Sequence, residues 1–227
     1  MTTTATDAVT LHVWRVRGRD VPAALVASRI TARRLRRHRD VTFAKVLGTA
    51  TDAFVPTAPT LQRWVALVCR QTAALVSEPW WDRHAVERAS LTLRPLSSRG
   101  RWDGRDPFAV RHADEQTWAG PVLVLTRSTL RLGAMRRFYR AVPPVAAELR
   151  GTSGCRAAFG IGEAPVVRQG TVSIWDSAEA VKAFAYHSPH HAAVVAATPD
   201  QRWYAEELFA RFAVVDASGT IDGTAVA

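Results

Sequence analysis

Apolar and polar residues alternate along Leu11-His12-Val13-Trp14-Arg15-Val16, the period of two expected of a half-buried strand. The period then changes to three and four. Val21, Leu25, Ser28, Ala32 and Leu35 form a mixed apolar stripe behind Pro22, a residue that fits the first turn of a helix. Val41 to Gly48 reads as a second strand and, beyond a Pro- and Thr-rich loop at Pro56 and Pro59, Trp64 to Cys69 reads as a third. Residues 72–88, with Trp80, Trp81 and His84, predict a helix interrupted at Pro79, and Leu91 to Pro95 a fourth strand. The order is βαββαβ.

Residues 97–120 are too rich in turn formers to continue the pattern and predict a loop. From Pro121 the pattern restarts. Val122 to Thr126 is a strand, and Met135, Phe138, Val142, Val145 and Leu149 mark a helix bent at Pro143-Pro144. Arg156 to Ile161 and Thr171 to Trp175 are strands, and Asp176 with Glu179 resembles a capping box for the helix that follows. Ala210 to Val215 is the last strand, with a frayed tail after Asp216. The second half is again βαββαβ. The fold class expected is therefore α+β: tandem ferredoxin-like repeats, about 10–96 and 121–215, making a dimeric-type α+β barrel within one chain and one domain over 1–227. Helices would lie outside, with a pocket between sheet and helices. Lys45-Val46-Leu47-Gly48-Thr49 and Phe159-Gly160-Ile161-Gly162-Glu163 echo each other, each ending its half's second strand in a Gly turn.

Composition narrows the function classes. With 48% hydrophobic and 22% charged residues the chain is that of a globular protein, and no run approaches 18 apolar residues. Its first residues lack a basic and then apolar leader, so a cytoplasmic location is expected. Cys69 and Cys155 lie far apart in apolar runs and read as reduced thiols, neither in the context of a thiolate haem ligand. The formal net charge is +10, and of 30 basic residues only Lys45 and Lys182 are lysines. The dense run from Arg33 to Arg39 closes a helix, where it favours the C-terminal dipole. No nucleic-acid-binding motif accompanies the charge, so nucleic acid is not expected as a partner. Peripheral contact with an anionic membrane surface, where an apolar substrate would dissolve, stays open.

Candidate chemistry gathers at Tyr186-His187-Ser188-Pro189-His190-His191, with three of the seven histidines. Ser188 fits an N-cap and Pro189 the first position of a new helix, which puts His190 and His191 on its first turn. Neutral imidazole is the commonest side-chain ligand for transition metals, although a solvated surface pair accounts for the same spacing. Neighbours on a helix point about 100° apart, so at most one could serve a single iron.

Several segments carry a resemblance to a known family. They are Phe43-x-Lys45-x-x-Gly48, Leu93-Arg94-Pro95-Leu96-Ser97, Gly100-x-Trp102-x-Gly104-x-x-Pro107-Phe108 and Pro121-Val122 through Arg127. To these are added Phe159-Gly160-Ile161-Gly162-Glu163-x-Pro165, Ser173-Ile174-Trp175, Ala183 to Tyr186 with Pro189-His190, and Glu206 to Phe212. In this order, from about residue 11 to 215, the chain resembles the spheroidene monooxygenase family of carotenoid ketolases. The resemblance implies a dimeric-type barrel, haem b as cofactor, and oxidation of an apolar substrate by molecular oxygen with an electron donor. It implies that His190, at the motif position, is the iron ligand, while the extra His191 leaves open which of the pair serves.

Lys45 becomes a candidate catalytic and cofactor-binding residue, able to meet a haem propionate or the oxygen chemistry; an exposed strand lysine is the plain alternative. Arg94 is a candidate propionate partner, and Trp102 is placed by its loop to touch a ligand. Glu163 reads as a surface turn carboxylate, and Glu206 and Glu207 as partners of Arg202 or Arg211 at a surface or helix end. The leading expectation is a haem-dependent monooxygenase acting on an apolar or natural-product substrate. A haem-dependent dehydratase of the aldoxime dehydratase type, a non-enzymatic haem or apolar-ligand binding protein, and a cofactor-free barrel monooxygenase are the alternatives. Oligomerisation stays open.

Overall fold

The computed structural model describes residues 8–50, 59–71, 78–108, 118–164, 167–188, 190 and 203–226. The first half runs β1 (Ala8–Val16), α1 (Val21–Arg37), β2 (Val41–Ala50), β3 (Pro59–Arg70), α2 (Pro79–His84) and β4 (Ala85–Gly100). The second runs β5 (Val122–Leu130), α3 (Met135–Gly151), β6 (Cys155–Ala164), β7 (Arg168–Trp175), α4 (Ala178–His187) and β8 (Tyr204–Ile221), with a short β9 (Thr224–Ala225). Both halves are βαββαβ, as the alternation of periods predicts.

The two four-stranded sheets do not stack face to face. They join edge to edge in the order β4-β1-β3-β2-β6-β7-β5-β8, and β4 pairs with β8 to close an antiparallel barrel. Gly48 sits opposite Gly162 at the β2–β6 seam, so the echoed glycine segments lie within strands and against each other rather than in turns. Closure leaves neither half with an open sheet edge, which an isolated half would present.

Strand lengths depart from the sequence reading because pairing on both sides extends them. β4 spans 16 residues, bonded to β1 on one edge and β8 on the other, so of the helix expected over 72–88 the part from Ala85 on is strand and, among the described residues, Pro79–His84 is helical; residues 72–77 lie outside the described residues. Ser97 to Gly100, expected as loop, belong to this strand. β8 runs through the tail expected to fray and turns back into β9. Gly219 permits this: its φ is +88°, and a Cβ there would lie 2.0 Å from the Arg88 carbonyl oxygen.

Inside the barrel, Leu11, Val13, Leu47, Val65, Leu67, Leu91, Leu93, Leu123, Leu125, Phe159, Val172, Ile174 and Phe212 fill one continuous apolar core. Each such side chain, fully buried, contributes about 1.5–3 kcal/mol. The helices cover the outer faces. On the first half, Trp14 and Trp64 of the strands pack with Trp81 of α2 beneath α1, and Trp81 donates its indole N–H to Thr31 at 3.0 Å. α1 turns Ala24, Ala27, Ser28, Thr31 and Leu35 inward, so Leu25, expected in the buried stripe, faces solvent. Small inward residues let the helix lie close on the strands, and the Thr31 bond fixes its rotation. On the second half, Phe138, Val142, Val145, Ala146 and Leu149 of α3 are buried. Pro143 and Pro144 lie within this helix without ending it.

Candidate functional site

One mouth of the barrel is closed by charge. Lys45, Arg127, Glu163 and Glu206 alternate in register with the interior residues of β2, β5, β6 and β8, and so point along the barrel axis side. Gly100, with φ +98°, turns the chain at the end of β4 and delivers Trp102 into the same mouth, where it is fully buried. Lys45 pairs with Asp103 and Glu163, and Arg127 pairs with Glu206 and, at 3.2 Å, with Glu163. Glu206 accepts the backbone N–H groups of Asp103 at 3.1 Å and Gly104 at 2.7 Å, and Trp102 donates its indole N–H to Glu163 at 3.1 Å. Lys45 and Arg127 both stand 5.6 Å from the Trp102 ring centroid. A shallow cleft lies beside this cluster, lined by Leu47, Trp102, Arg127, Glu163, Arg168 and Gln169 among others, and it has no room for a drug-sized ligand. The arrangement latches the loop after β4 onto the barrel.

Two further polar features, separate from each other, lie along α3 on the outer face of the second half. His190 bonds through Nδ1 to Glu148 of α3, and the Ser188 hydroxyl donates to the same carboxylate. Those two hydrogen bonds, from Ser188 first and His190 second, hold the Glu148 carboxyl below its ordinary range. On the sheet beneath, Thr126 stands opposite Thr171 and Ser128 opposite Gln169. Thr126 Oγ1, Thr171 Oγ1, Ser128 Oγ and Gln169 Nε2 are all buried without a hydrogen-bond partner among the described residues, as is Trp203 Nε1 where the chain enters β8. Unsatisfied buried polar atoms cost about 1–3 kcal/mol each, so the row calls for partners beyond the described residues, whether chain, solvent or a bound group. Tyr139 of α3 donates to Gln169 Oε1 at 3.0 Å, and burial pushes its phenol up to about 12. Leu130, Phe138, Val142 and Trp203 form an apolar wall alongside.

Of these residues His190 is the one that could hold a haem iron, and its side chain is 56% exposed. An iron-ligating imidazole characteristically gives its second nitrogen to a carboxylate or carbonyl, and His190 does so while its Nε2 stays available. Among the described residues no group of three or more His, Cys, Asp or Glu side chains could hold a metal ion. A lone imidazole suits an iron whose other ligands come from a macrocycle.

The residues singled out in the sequence do not converge on one place. Lys45 and Trp102 meet at the barrel mouth, and among the described residues none of their contacts involves His190. Arg94 lies on the outer face of β4 with its guanidinium 5.6 Å from the Trp118 ring centroid. His191 and Arg202 lie outside the described residues. Glu163 and Glu206, expected at a surface turn and a surface or helix end, are instead half-buried partners of Arg127, because both belong to strands whose interior face reaches the mouth. Sequence reasoning missed Glu148 and the Thr126, Ser128, Thr171 and Gln169 row. The polar residues interrupting an otherwise apolar face of β5 and β7 were the signal for the row. Cys69 and Cys155 are free thiols, as expected.

Comparison with known proteins adds a lineage. The chain is 30% identical over 220 residues to a spheroidene monooxygenase of Rhodobacter capsulatus, covering 92% of this chain and 91% of the relative. It is 33% identical over 189 residues to a spheroidene monooxygenase of Rubrivivax gelatinosus, covering 80% and 72% of the two. No protein-family profile matches the chain. An aldoxime dehydratase solved in complex with butyraldoxime superposes with a TM-score of 0.58 at 12% identity, over 93% of this chain and 81% of that one. A second aldoxime dehydratase structure gives 0.58 at 12% identity, over 95% and 83%. At that identity the likeness shows a shared fold.

Proposed function

The chain belongs to the spheroidene monooxygenase family, and from that premise we propose that it is a haem-dependent monooxygenase that oxidises an apolar, carotenoid-like substrate with molecular oxygen. One oxygen atom enters the substrate and the other leaves as water, with two electrons and two protons drawn from an external donor. The family membership supports the oxygen chemistry. The observation that carries the haem reading is the bond between His190 Nδ1 and Glu148, which prepares a single imidazole for an iron.

When bound, haem supplies the binding and reductive activation of oxygen, chemistry that no side chain performs. The chain supplies position and surroundings. Glu148 accepts from His190 Nδ1, so the Nε2 lone pair is directed away from α3, and Ser188 keeps the carboxylate from turning. Leu130, Phe138, Val142 and Trp203 pack against one another as a buried apolar layer that fixes α3 on the sheet. The hydroxyls of Thr126, Ser128 and Thr171 and the amide of Gln169 would be able to give or take hydrogen bonds to a group bound beside them. In this arrangement Lys45 and Trp102 are positioning residues for the loop after β4.

The test is hemin titration followed by turnover. Purified protein should bind hemin near one per chain with a Soret shift, and should convert spheroidene only when oxygen and a reductant are both present. Protein that binds no hemin yet still oxidises spheroidene would overturn the haem reading. Conversion of an aldoxime without oxygen would replace the oxygenase with a dehydratase.

A further inference from the structure

α1 carries on its solvent side a face that the barrel does not use. Leu25, Val26 and Ile30 are 45%, 59% and 60% exposed, an unusual share for three large apolar side chains within six residues. Arg29, Arg33, Arg36 and Arg37 project from the same exposed side, while Ala24, Ala27, Thr31 and Leu35 point the other way into the packed layer. The helix contains no acidic residue, and of its arginines only Arg34 is paired among the described residues, with Glu78. An apolar patch ringed by unpaired arginines is the makeup of a helix that lies in a lipid interface. The aliphatic tips enter the acyl boundary, and the guanidinium groups reach back to phosphates.

We propose that this face of α1 docks the enzyme onto an anionic lipid surface. Charge decides among the occupants. A second copy of the chain paired two-fold through α1 would set these arginines against their own equivalents. Nucleic acid would match the arginines but leave Leu25, Val26 and Ile30 against phosphates. An anionic bilayer satisfies both components at once, and neither three aliphatic side chains nor four arginines suffice alone. Among the described residues no helix is long and apolar enough to cross a membrane, so the contact is peripheral. The inference stands on the exposure and charge of α1, whichever substrate the enzyme takes.

The test is sedimentation of the full chain with vesicles of phosphatidylcholine mixed with phosphatidylglycerol, and with vesicles of phosphatidylcholine alone. Binding is expected to the mixed vesicles only, and to fall as salt shortens the Debye length from about 10 Å to about 3 Å. Arg29→Gln with Arg33→Gln should lower the partition coefficient about fivefold for each arginine removed. Val26→Gln with Ile30→Gln should lower it at least as much at unchanged charge. Thermal melting establishes that the variants are folded, and the arginine pair, which leaves the packed layer untouched, decides should the apolar pair disturb it. The proposal is overturned if the protein stays in the supernatant with mixed vesicles at low salt, or if both variants bind as the parent does. It is equally overturned if the apolar pair abolishes a lipid-independent dimer, or if duplex DNA is bound where vesicles are not.

Discussion

The imidazole of His190 is joined through Nδ1 to the carboxylate of Glu148, 42 residues earlier on α3, and the same carboxylate holds Ser188. Three residues thereby meet at one carboxylate, and the proposed iron ligand is the other ring nitrogen. His190→Ala should abolish hemin retention, and Glu148→Gln, which keeps the shape but removes the charge, should weaken it about 10–100-fold. His187→Ala and His191→Ala should retain hemin; the His187 ring is already bonded to its own helix at the Ala183 carbonyl, 2.9 Å away. Unchanged hemin affinity in His190→Ala would move the ligand elsewhere. His84 is next in line, stacked on Trp80 with ring centroids 4.4 Å apart and bonded to the Trp80 carbonyl oxygen.

Much of the barrel was legible because its information is local. Period-two runs such as Leu11 to Val16 and the period-three-and-four stripe from Phe138 to Leu149 need no partner to be read. What pairing decides was not legible. β4 extends to Gly100 because β8 lies beside it, and Gly48 and Gly162 end as a seam because the two halves meet there. The rotation of α1 was misread for a similar reason: Leu25 fits an apolar stripe, but Thr31 bonded to Trp81 sets which side faces in. At the candidate site, the sequence singles out His190, while Pro189 lies outside the described residues; Glu148 is brought to His190 only by the packing of α3.

A truncated chain tests the closed architecture. A fragment of residues 121–227 loses the β4 partner of β8 along the register from Ala89 opposite Gly219 to Gly100 opposite Leu208, and the β2 partner of β6. It would also expose Leu123, Leu125, Phe159, Val172 and Phe212, far more contiguous apolar surface than soluble monomers show. The fragment is expected to aggregate or to melt without cooperativity in calorimetry. A soluble fragment with a sharp transition would show two independent domains.

The barrel mouth supplies a stability prediction. The Arg127 side chain is 2% exposed and serves both Glu163 and Glu206, so Arg127→Met leaves Glu206, 25% exposed, without its arginine and Glu163, 14% exposed, with Lys45 as its remaining cation. Removing one partner of a buried ion pair typically costs about 3–5 kcal/mol, and urea denaturation should show a loss of that order. Adding Glu206→Gln to Arg127→Met should restore part of it. Lys45→Met, by comparison, should loosen the loop after β4 while leaving hemin affinity unchanged; a matching fall in hemin affinity would return Lys45 to the cofactor site.

The same latch should respond to acid. Burial pushes Glu206 up, but the N–H groups of Gly104 and Asp103 together with Arg127 outweigh it and leave the carboxyl below the ordinary 4.5. Burial likewise raises Asp103, and Lys45 with its hydrogen bond and charge brings it below the ordinary 3.8. Both groups are therefore depressed in the folded state. Their contribution is fully present above the unfolded values and is lost as pH falls through the lower folded ones. Hydrogen exchange reads this directly. Protection of the Asp103 and Gly104 amides, corrected for intrinsic rates, should hold down to about pH 4 and then fall, while the Leu125 amide in the β5–β7 ladder stays protected as the reference. In Glu206→Gln the two loop amides should exchange faster at every pH, with the acid step diminished. Protection that stays level to pH 3 would mean that packing of Trp102, rather than the carboxylates, holds the loop.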